Sequence, residues 1–239
     1  MHAAMEHQTA DLPVIEDELV LLARLVPLAQ ASIIELGCGK AELARRLVAQ
    51  HPGATVLALE VDARQHAKNL QQPAERIRFV EGGAQAIAAA DASFDLALML
   101  KSLHHVPLDQ IDRALDETWR VLRPGGLLYV SEPVFAGPLN EVMRVFHDEE
   151  VVRAAAYAAV QRAAAGPRWE TVDERFFDVP VHYRDFEEFR QRMIGVTFVD
   201  HRLDAATLAE VERRFMPHQT ADGAHFMRPM RVNLLRKRS

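Results

Sequence analysis

Short apolar runs alternate with helical patterns along the first half of the chain. Each run has the length of a buried strand and ends at a glycine or a charged residue, while the segments between them repeat apolar positions every three or four residues. Strands that alternate with helices form a parallel sheet with right-handed crossovers, so the pattern predicts an α/β fold. The predicted strands cover 32–36, 55–60, 77–81, 94–100 and 126–132, and the predicted helices lie near 40–50, 62–71, 84–90 and 108–122.

The segment before the first strand has a pattern of its own. Residues 1–12 predict a loose arm, whereas 13–30 carry apolar residues near helical spacing, with Glu16, Asp17 and Glu18 in the first turn. We therefore predict an N-terminal arm and cap helix over residues 1–30, with the helix placed as a flap over a site. One domain would follow, over residues 31–239.

The alternation stops after the fifth predicted strand. Residues 138–165 favour helix and include an alanine-rich stretch, which predicts a helical lid insertion within 133–170. Pro124 and Gly125 separate the fourth helix from the fifth strand, because proline stops a helix and glycine takes unusual backbone angles. The remaining predictions are a strand at 171–182, helices at 185–193 and 204–214, and a last strand at 224–235.

The amino-acid composition excludes several classes of protein. The 239 residues are 49% hydrophobic, which is ample for a core, and the net charge of −6 argues against a broad nucleic-acid surface. Cys38 is the one cysteine, so there is no disulfide framework. No apolar run reaches the ~18 residues that a membrane span needs, and the N-terminus lacks the pattern of a signal peptide. The expectation is a soluble, cytoplasmic protein that binds neither nucleic acid nor membrane.

The first strand leads into a glycine turn at the start of a helix. Glu35 lies near the end of the apolar run, and Gly37, Cys38 and Gly39 follow. Such a turn lets a ligand lie against bare backbone, because glycine has no Cβ. The alternative is that any α/β protein needs glycines here. Cys38 is either a reactive thiol or, as we favour, a small residue that fits the turn.

A second acid indicates which ligand the turn would take. Glu60 ends the second predicted strand, where a carboxylate can accept hydrogen bonds from both hydroxyls of a ribose. The dinucleotide pattern G-x-G-x-x-G is incomplete, since Glu42 stands at the last glycine position and would repel a pyrophosphate. Together with Glu35, these acids suit a ligand that carries a positive charge. The chain also lacks the phosphate-binding pattern G-x-x-x-x-G-K-[ST].

Four blocks, in order, resemble the class I S-adenosylmethionine-dependent methyltransferases, in particular the small-molecule ubiquinone/menaquinone-methyltransferase-like group. They are 34–39, 57–62, 93–98 with 102–106, and 121–128, and the resemblance covers roughly residues 30–135. It implies a Rossmann-like, seven-stranded, mainly parallel sheet flanked by helices. It also implies transfer of a methyl group from S-adenosyl-L-methionine to an acceptor, with S-adenosyl-L-homocysteine as product.

The resemblance assigns roles within the cofactor site. Glu35 would anchor the ammonium of the cofactor, the turn would hold its methionine portion, and Glu60 would hold its ribose. Two positions depart from the family pattern. Ala41 replaces the third glycine, and the sequence Glu81-Gly82-Gly83-Ala84 lacks the usual aspartate, which leaves adenine to the backbone of Gly83 and Ala84 or to Gln85. The full cofactor set comprises Glu35, Gly37, Cys38, Gly39, Glu60, Val61, Gly83, Ala84, Leu100 and Lys101.

Candidate catalytic residues follow the fourth and fifth strands. His104 or His105 would act as a general base if the acceptor is a hydroxyl, since histidine titrates near neutrality. The alternative is that this pair caps the next helix and packs. Glu132 is a further candidate base. The run His147-Asp148-Glu149-Glu150 has metal-binding residue types, but a solvated helix face is the favoured interpretation and no metal is expected.

The sequence thus predicts a metal-independent methyltransferase that acts on a small molecule as a monomer or homodimer. The acceptor atom, oxygen, nitrogen or carbon, stays open. An arginine in 182–184 or 225–228 would be able to pair with a substrate carboxylate, although an ordinary surface or core role is the alternative. Two other functions also stay open: a non-catalytic, S-adenosylmethionine-binding regulatory protein, and an RNA or protein methyltransferase. The chain lacks the Asp/Asn-Pro-Pro-Tyr block that would favour methylation of nucleic-acid bases.

Overall fold

A twisted sheet forms the centre of the computed structural model, which describes residues 12–195 and 203–239. Its strand order is β3-β2-β1-β4-β5-β8-β6, with the short β7 paired to β8. Strands β1 to β5 are parallel, and β8 runs antiparallel to both β5 and β6. This topology confirms the predicted Rossmann-like, mainly parallel sheet. The strands are β1 (Ser32–Leu36), β2 (Thr55–Glu60), β3 (Ile77–Glu81), β4 (Phe94–Leu100), β5 (Leu122–Pro133), β6 (Trp169–Tyr183), β7 (Gln219–Thr220) and β8 (Gly223–Lys237).

Helices cover both faces of the sheet. They are α1 (Glu18–Leu25), α2 (Glu42–Gln50), α3 (Ala63–Leu70), α4 (Ile111–Val121), α5 (Pro138–Met143), α6 (Glu150–Ala165), α7 (Phe186–Phe189) and α8 (Ala205–Phe215). A π-helical turn over Arg190–Ile194 continues α7. None of the helices among the described residues is long and apolar enough to cross a membrane.

The first helix is shorter than predicted. Asp17 caps α1 by accepting a hydrogen bond from the backbone of Leu19, at 3.0 Å. The residues before it are extended instead, since the backbone of Ile15 donates to Asp178 of β6 at 2.8 Å. An edge strand offers unpaired backbone groups, and this short segment satisfies some of them. Residues 1–11 of the predicted arm lie outside the described part of the chain.

The helix predicted at 84–90 is wrong. That segment is a chain of turns whose backbone is bound by side chains of α4. Glu117 accepts from the amide of Ile87 at 3.0 Å, and Arg120 donates to the carbonyls of Ile87 and Ala89 at 2.9 and 2.8 Å. These tertiary hydrogen bonds replace the ones that a helix would have made.

The helical region after β5 divides into two parts. Ala156, Ala159 and Val160 of α6 are buried in the same core cluster as Ile34 and Leu128 of the central strands. Helix α6 is therefore a core element that covers one face of the sheet. The short α5 instead joins a separate aromatic cluster between α7, α8 and the outer halves of β6 and β8, built on Tyr183, Phe189, Phe215 and Phe226. Closure of this region as a lid stays a prediction.

Candidate active site

The glycine turn after β1 is held tightly against the neighbouring strands. The amides of Gly37 and Cys38 both donate to the carbonyl of Leu59, at 3.0 and 2.8 Å. Gly37 has φ +78°, and a Cβ there would lie 2.7 Å from the Cβ of Ser102 in the loop after β4. Gly39 has φ +54°, but a Cβ there would meet nothing within 4 Å. Gly37 thus serves the packing of the turn, whereas Gly39 faces open space of the kind a ligand needs.

Glu60 joins the end of β2 to this turn. One of its carboxylate oxygens accepts from the amide of Gly39 at 2.7 Å, and the other accepts from the amide of Asp62 at 2.9 Å. Sequence reasoning missed a second brace, Asn69 of α3, which is buried and donates to the carbonyl of Gly39 at 2.8 Å. A lone polar residue at a helix end gives no signal of such a contact in the sequence.

Glu35 is a buried acid with an unused oxygen. Its side chain lies in the core at the carboxyl end of β1, and its Oε2 atom has no hydrogen-bond partner. Burial raises the pKa of Glu35 to about 8, an effect that Lys101 opposes and Glu60 strengthens. The unpartnered oxygen can accept a hydrogen bond from a cationic group, and a bound positive charge would favour the ionised form of Glu35.

Cys38 shares this environment. Burial, together with the negative charges of Glu35 and Glu60, raises the pKa of the Cys38 thiol far above its ordinary value. A reactive cysteine needs the opposite shift, toward the thiolate. The structure thus favours the interpretation of Cys38 as a small residue that fits the turn.

The other candidate cofactor residues lie around the same edge of the sheet. Val61, which follows Glu60, is exposed, and the amide of Gly82 donates to the Glu60 carbonyl at 3.0 Å, which brings the end of β3 beside it. The Gln85 side chain lies against Gly83, where an added Cβ would meet its oxygen at 2.5 Å. Leu100 ends β4, and Lys101 has φ +54° with its ammonium 3.5 Å from Glu18 of α1. Helix α1 thus reaches this edge of the sheet.

A buried network connects the loop after β4 with β5 and α6. The Nδ1 atom of His104 hydrogen-bonds to Glu132, and its Nε2 lies 3.4 Å from Glu149. His147 contacts the same oxygen of Glu149 at 2.8 Å, and Arg153 pairs with the other oxygen of this carboxylate. His104, Glu132 and Glu149 are all buried. We call these five side chains the His104 network.

The network holds His104 as a cation. Burial opposes its charge, but hydrogen bonds to Glu132 and Glu149 outweigh burial and raise the pKa of His104 to about 9. Burial also disfavours the charge of Glu149, yet the hydrogen bonds from His104 and His147 and the positive charges of His104 and Arg153 lower the pKa of Glu149 overall. His105 differs: its side chain is exposed, but the partial loss of hydration and the neighbouring His104 cation lower its pKa.

Glu132 uses both of its oxygens inside the protein. Besides His104, it accepts hydrogen bonds from the amides of Ser102 and Leu103, at 3.1 and 2.8 Å. The carboxylate therefore fixes the conformation of the whole loop after β4. Both oxygens of Glu132 are thus occupied by groups of the loop after β4.

Glu149 and Arg153 were missed as site residues. For Glu149 the interpretation as part of a solvated face is wrong, whereas its neighbours Asp148 and Glu150 are exposed and interact with Arg144. The run 147–150 alternates, with every second side chain turned toward the His104 network. His104, His105 and Glu149 together present ligand atoms within 4.8 Å of one another, the one such group of three or more found among the described residues.

The chain is similar in sequence to known methyltransferases. A family model described as a methyltransferase domain matches residues 34–130. The trans-aconitate 2-methyltransferase of Deinococcus radiodurans is 37% identical over 103 residues, which are 43% of this chain and 38% of that protein. The ubiquinone/menaquinone biosynthesis C-methyltransferase of Bradyrhizobium diazoefficiens is 34% identical over 100 residues, 39% of each chain. The chain thus aligns with about two fifths of the length of these curated relatives.

The structural similarity to solved proteins covers more of the chain than the sequence alignments do. A solved S-adenosylmethionine-dependent methyltransferase from Methanosarcina mazei superposes with a TM-score of 0.58 at 15% identity, covering 91% of this chain and 97% of that one. At 15% identity this structural match concerns the fold alone. The sequence region that matches the methyltransferase domain model, 34–130, contains both the glycine turn and Glu60. Residues 34–130 are thus similar to the methyltransferase domain model, and the chain shares the Rossmann-like fold of this solved methyltransferase.

Proposed function

We propose that this protein transfers a methyl group from S-adenosyl-L-methionine to a small-molecule acceptor. The observation that carries the proposal is the arrangement of two buried acids, Glu35 and Glu60, on either side of an open glycine turn. A sulfonium cofactor carries positive charge, and an acidic surround with little competing solvent attracts it. The match to a methyltransferase domain supports the same cofactor.

The side chains present fit this cofactor. Glu35, with its unpartnered Oε2, would accept from the ammonium of the methionine portion, and Gly39 would let that portion approach the backbone. Each Glu60 oxygen receives one backbone hydrogen bond and keeps capacity for a ribose hydroxyl. Gly83, Ala84 and Gln85 would bound the adenine. When bound, the cofactor supplies an activated methyl group, and the protein has to orient the acceptor and exclude water.

Among the three candidate bases, the charges favour His105. His104 is protonated near neutral pH and is enclosed by two carboxylates, so it has no free lone pair to accept a proton. Glu132 is fully engaged in holding the loop. His105 is exposed, and its lowered pKa leaves it neutral at pH 7, as a general base requires. We therefore assign the base to His105 when the acceptor is a hydroxyl; an acceptor that is already anionic needs none.

The first experiment measures cofactor binding by isothermal titration calorimetry, using S-adenosylmethionine and S-adenosylhomocysteine. We expect micromolar binding by the wild type and a loss of at least about tenfold in Glu60→Ala, since hydrogen bonds to a charged group contribute about 1.5–3 kcal/mol. Glu81→Ala is the matched control, because this acid ends the neighbouring strand β3 but is exposed. Equal affinity of the wild type and Glu60→Ala, or no binding by either, contradicts the proposal.

A second measurement separates catalysis from mere binding. Methyl transfer from labelled cofactor to a panel of small acceptors should give repeated turnover. Tight cofactor binding without turnover on small molecules, RNA or protein would instead favour the regulatory alternative. Turnover confined to RNA or protein acceptors would overturn the small-molecule assignment.

A further inference from the structure

A groove of about 630 Å³ lies at the amino ends of β1 to β4. Its floor is formed by residues near the start of these strands, among them Ser32, Thr55 and Arg78, and the segment 88–90 forms a wall. The candidate active site lies at the carboxyl ends of the same strands. Because β1 and β2 have 5 and 6 residues, at about 3.3 Å per residue, roughly 15–20 Å separate the two places. The groove is therefore separate from the glycine turn.

The groove exists because the connection from β3 to β4 leaves part of the sheet uncovered. This connection, residues 82–93, consists of turns and irregular backbone without a helix, and the structure describes all of it. Strands inside a parallel sheet are usually covered on both faces. Leu57 of β2 is only half-buried, however, whereas Leu59 on the same face, nearer the active site, is buried. The uncovered part of this face is the floor of the groove.

Hydrogen bonds fix the wall of the groove. Arg120 of α4 donates to the carbonyl of Ala89 at 2.8 Å, and the hydroxyl of Ser93 donates to the carbonyl of Ala90 at 2.8 Å. The shape of the groove therefore does not depend on a ligand. Its volume lies within the range of about 300–1,000 Å³ that is typical of small-molecule sites.

The groove carries positive charge without a counter-ion. The guanidinium of Arg78 makes no hydrogen bond or ion pair with another residue in the described part of the chain. Arg76, which also lines the groove, donates to three backbone carbonyls but, within the described residues, to no carboxylate. The acids that follow the wall in sequence, Asp91 and Asp95, are each paired with another arginine. The charge of the groove thus favours an anionic ligand.

We propose that this groove binds a small organic anion that has an apolar body, as a second ligand site separate from the cofactor and the methyl acceptor. Arg78 would pair with the oxyanion, because a guanidinium matches the geometry of a carboxylate or a phosphate. The hydroxyls of Ser32 and Thr55, which have no hydrogen-bond partner among the described residues, would donate to it as well. Leu57 and Phe94 would contact the apolar body. This inference does not rest on the proposed function, since no group of the candidate active site takes part.

The test measures binding by calorimetry on the full chain. The anionic probes are naphthoate and naphthyl phosphate, naphthamide is a neutral probe of similar shape, and inorganic phosphate is an anion without an apolar body. We expect the wild type to bind both naphthyl anions with a dissociation constant of about 1 mM or lower. Naphthamide should not bind, and inorganic phosphate should bind at least about tenfold more weakly than naphthyl phosphate, because it buries no apolar surface.

Three substitutions locate the binding. Arg78→Gln should weaken the binding of both naphthyl anions at least about tenfold, and Arg78→Lys should retain part of it, because lysine keeps the charge but loses the planar fork. Ala88→Trp keeps the charge of the groove but fills part of its volume, so it should weaken binding too. Arg24→Gln is the matched control, since it removes an exposed arginine of α1 outside the groove and should bind the anions as the wild type does.

The Arg78 variants should melt at the wild-type temperature, because this side chain is exposed and makes no pair among the described residues. Equal affinity of the wild type and Arg78→Gln, binding of naphthamide as strong as that of naphthoate, or no binding of either naphthyl anion by the wild type overturns the site. Tighter binding of naphthyl phosphate than of naphthoate supports a phosphorylated ligand at Arg78, and the reverse order supports a carboxylate.

Discussion

At the scale of single residues, the ionisation of Glu35 should control cofactor affinity. Its pKa is near 8 because it is buried, and the charges that face it are Lys101, which lowers this pKa, and Glu60, which raises it. A cationic ligand binds the ionised form. Below pH 8 binding must therefore release a proton, and affinity should fall by up to about tenfold per pH unit as the pH is lowered from 7.5 to 5.5. Calorimetry across this range, in two buffers of different ionisation enthalpy, measures both the affinity and the released proton.

Glu35→Gln is the control for this prediction. It should bind more weakly than the wild type at pH 7.5, without the same pH dependence. Protein stability should change with pH in the opposite direction to cofactor affinity. Between pH 5 and 8 the folded protein keeps a proton on Glu35, whereas the unfolded chain, in which the pKa of this carboxyl is near 4.5, has lost it. The wild type should thus lose stability relative to Glu35→Gln as the pH rises from about 5 to 8. Parallel melting curves at all pH values would show that Glu35 is not titrating in this window.

Substitutions at the two turn glycines should have different effects, one on packing and the other on ligand binding. Gly37→Ala should reduce the free energy of unfolding by about 2–4 kcal/mol, from backbone strain at φ +78° and from the contact with Ser102. Gly39→Ala should cost only about 1–2 kcal/mol, since its Cβ meets no protein atom, but should weaken cofactor binding by more than tenfold. Urea unfolding and calorimetry of both variants test this. Normal cofactor binding by Gly39→Ala would show that the ligand does not lie on the turn.

At the scale of elements, the His104 network joins three pieces of structure that are far apart in the chain. Glu132 in β5 holds the loop after β4 through two backbone amides and His104, and Glu149 at the start of α6 holds His104 from the other side. This explains why an ordinary core helix, α6, can also organise the site. The geometry of the loop that bears His105 therefore depends on contacts with Glu132 and Glu149, which lie far from it in the sequence.

The network predicts unequal roles for two adjacent acids. Glu149→Gln should destabilise the protein by about 3–5 kcal/mol, because it leaves the buried His104 and the half-buried Arg153 charges with one counter-ion fewer. Glu150→Gln should cost less than about 0.5 kcal/mol, since that side chain is exposed and its pair with Arg144 is loose, at 3.3 Å. Urea unfolding at pH 7 compares the two. Similar losses in both variants would mean that the network contributes nothing beyond helix-end electrostatics.

At the scale of the whole molecule, the sequence predicts the features that depend on local pattern, but not those that depend on tertiary contacts. Strands β1 to β4 have the predicted bounds. For β1, β2 and β4 the reason is that each is a short apolar run that is largely buried in the sheet. The turns at 84–90 could not be foreseen, since Glu117 and Arg120 bind them from another helix. The glycine turn and Glu60 could be predicted as site residues because each lies in a short local block of sequence. The partners of His104 were not, because Glu149 approaches it only in the folded chain.

The charge balance of the whole site also bears on metal content. His104, His105 and Glu149 have suitable ligand atoms, but the network already pairs two acids with the His104 and Arg153 cations. A divalent cation would have to displace the His104 proton, and the positive charge of Arg153 would repel it. We therefore expect that dialysis against a chelator leaves the melting temperature, cofactor affinity and turnover unchanged, with less than about 0.1 equivalent of metal per chain by mass spectrometry. Stoichiometric zinc, lost on chelation together with several degrees of melting temperature and absent from His105→Ala, would make this cluster a metal centre instead.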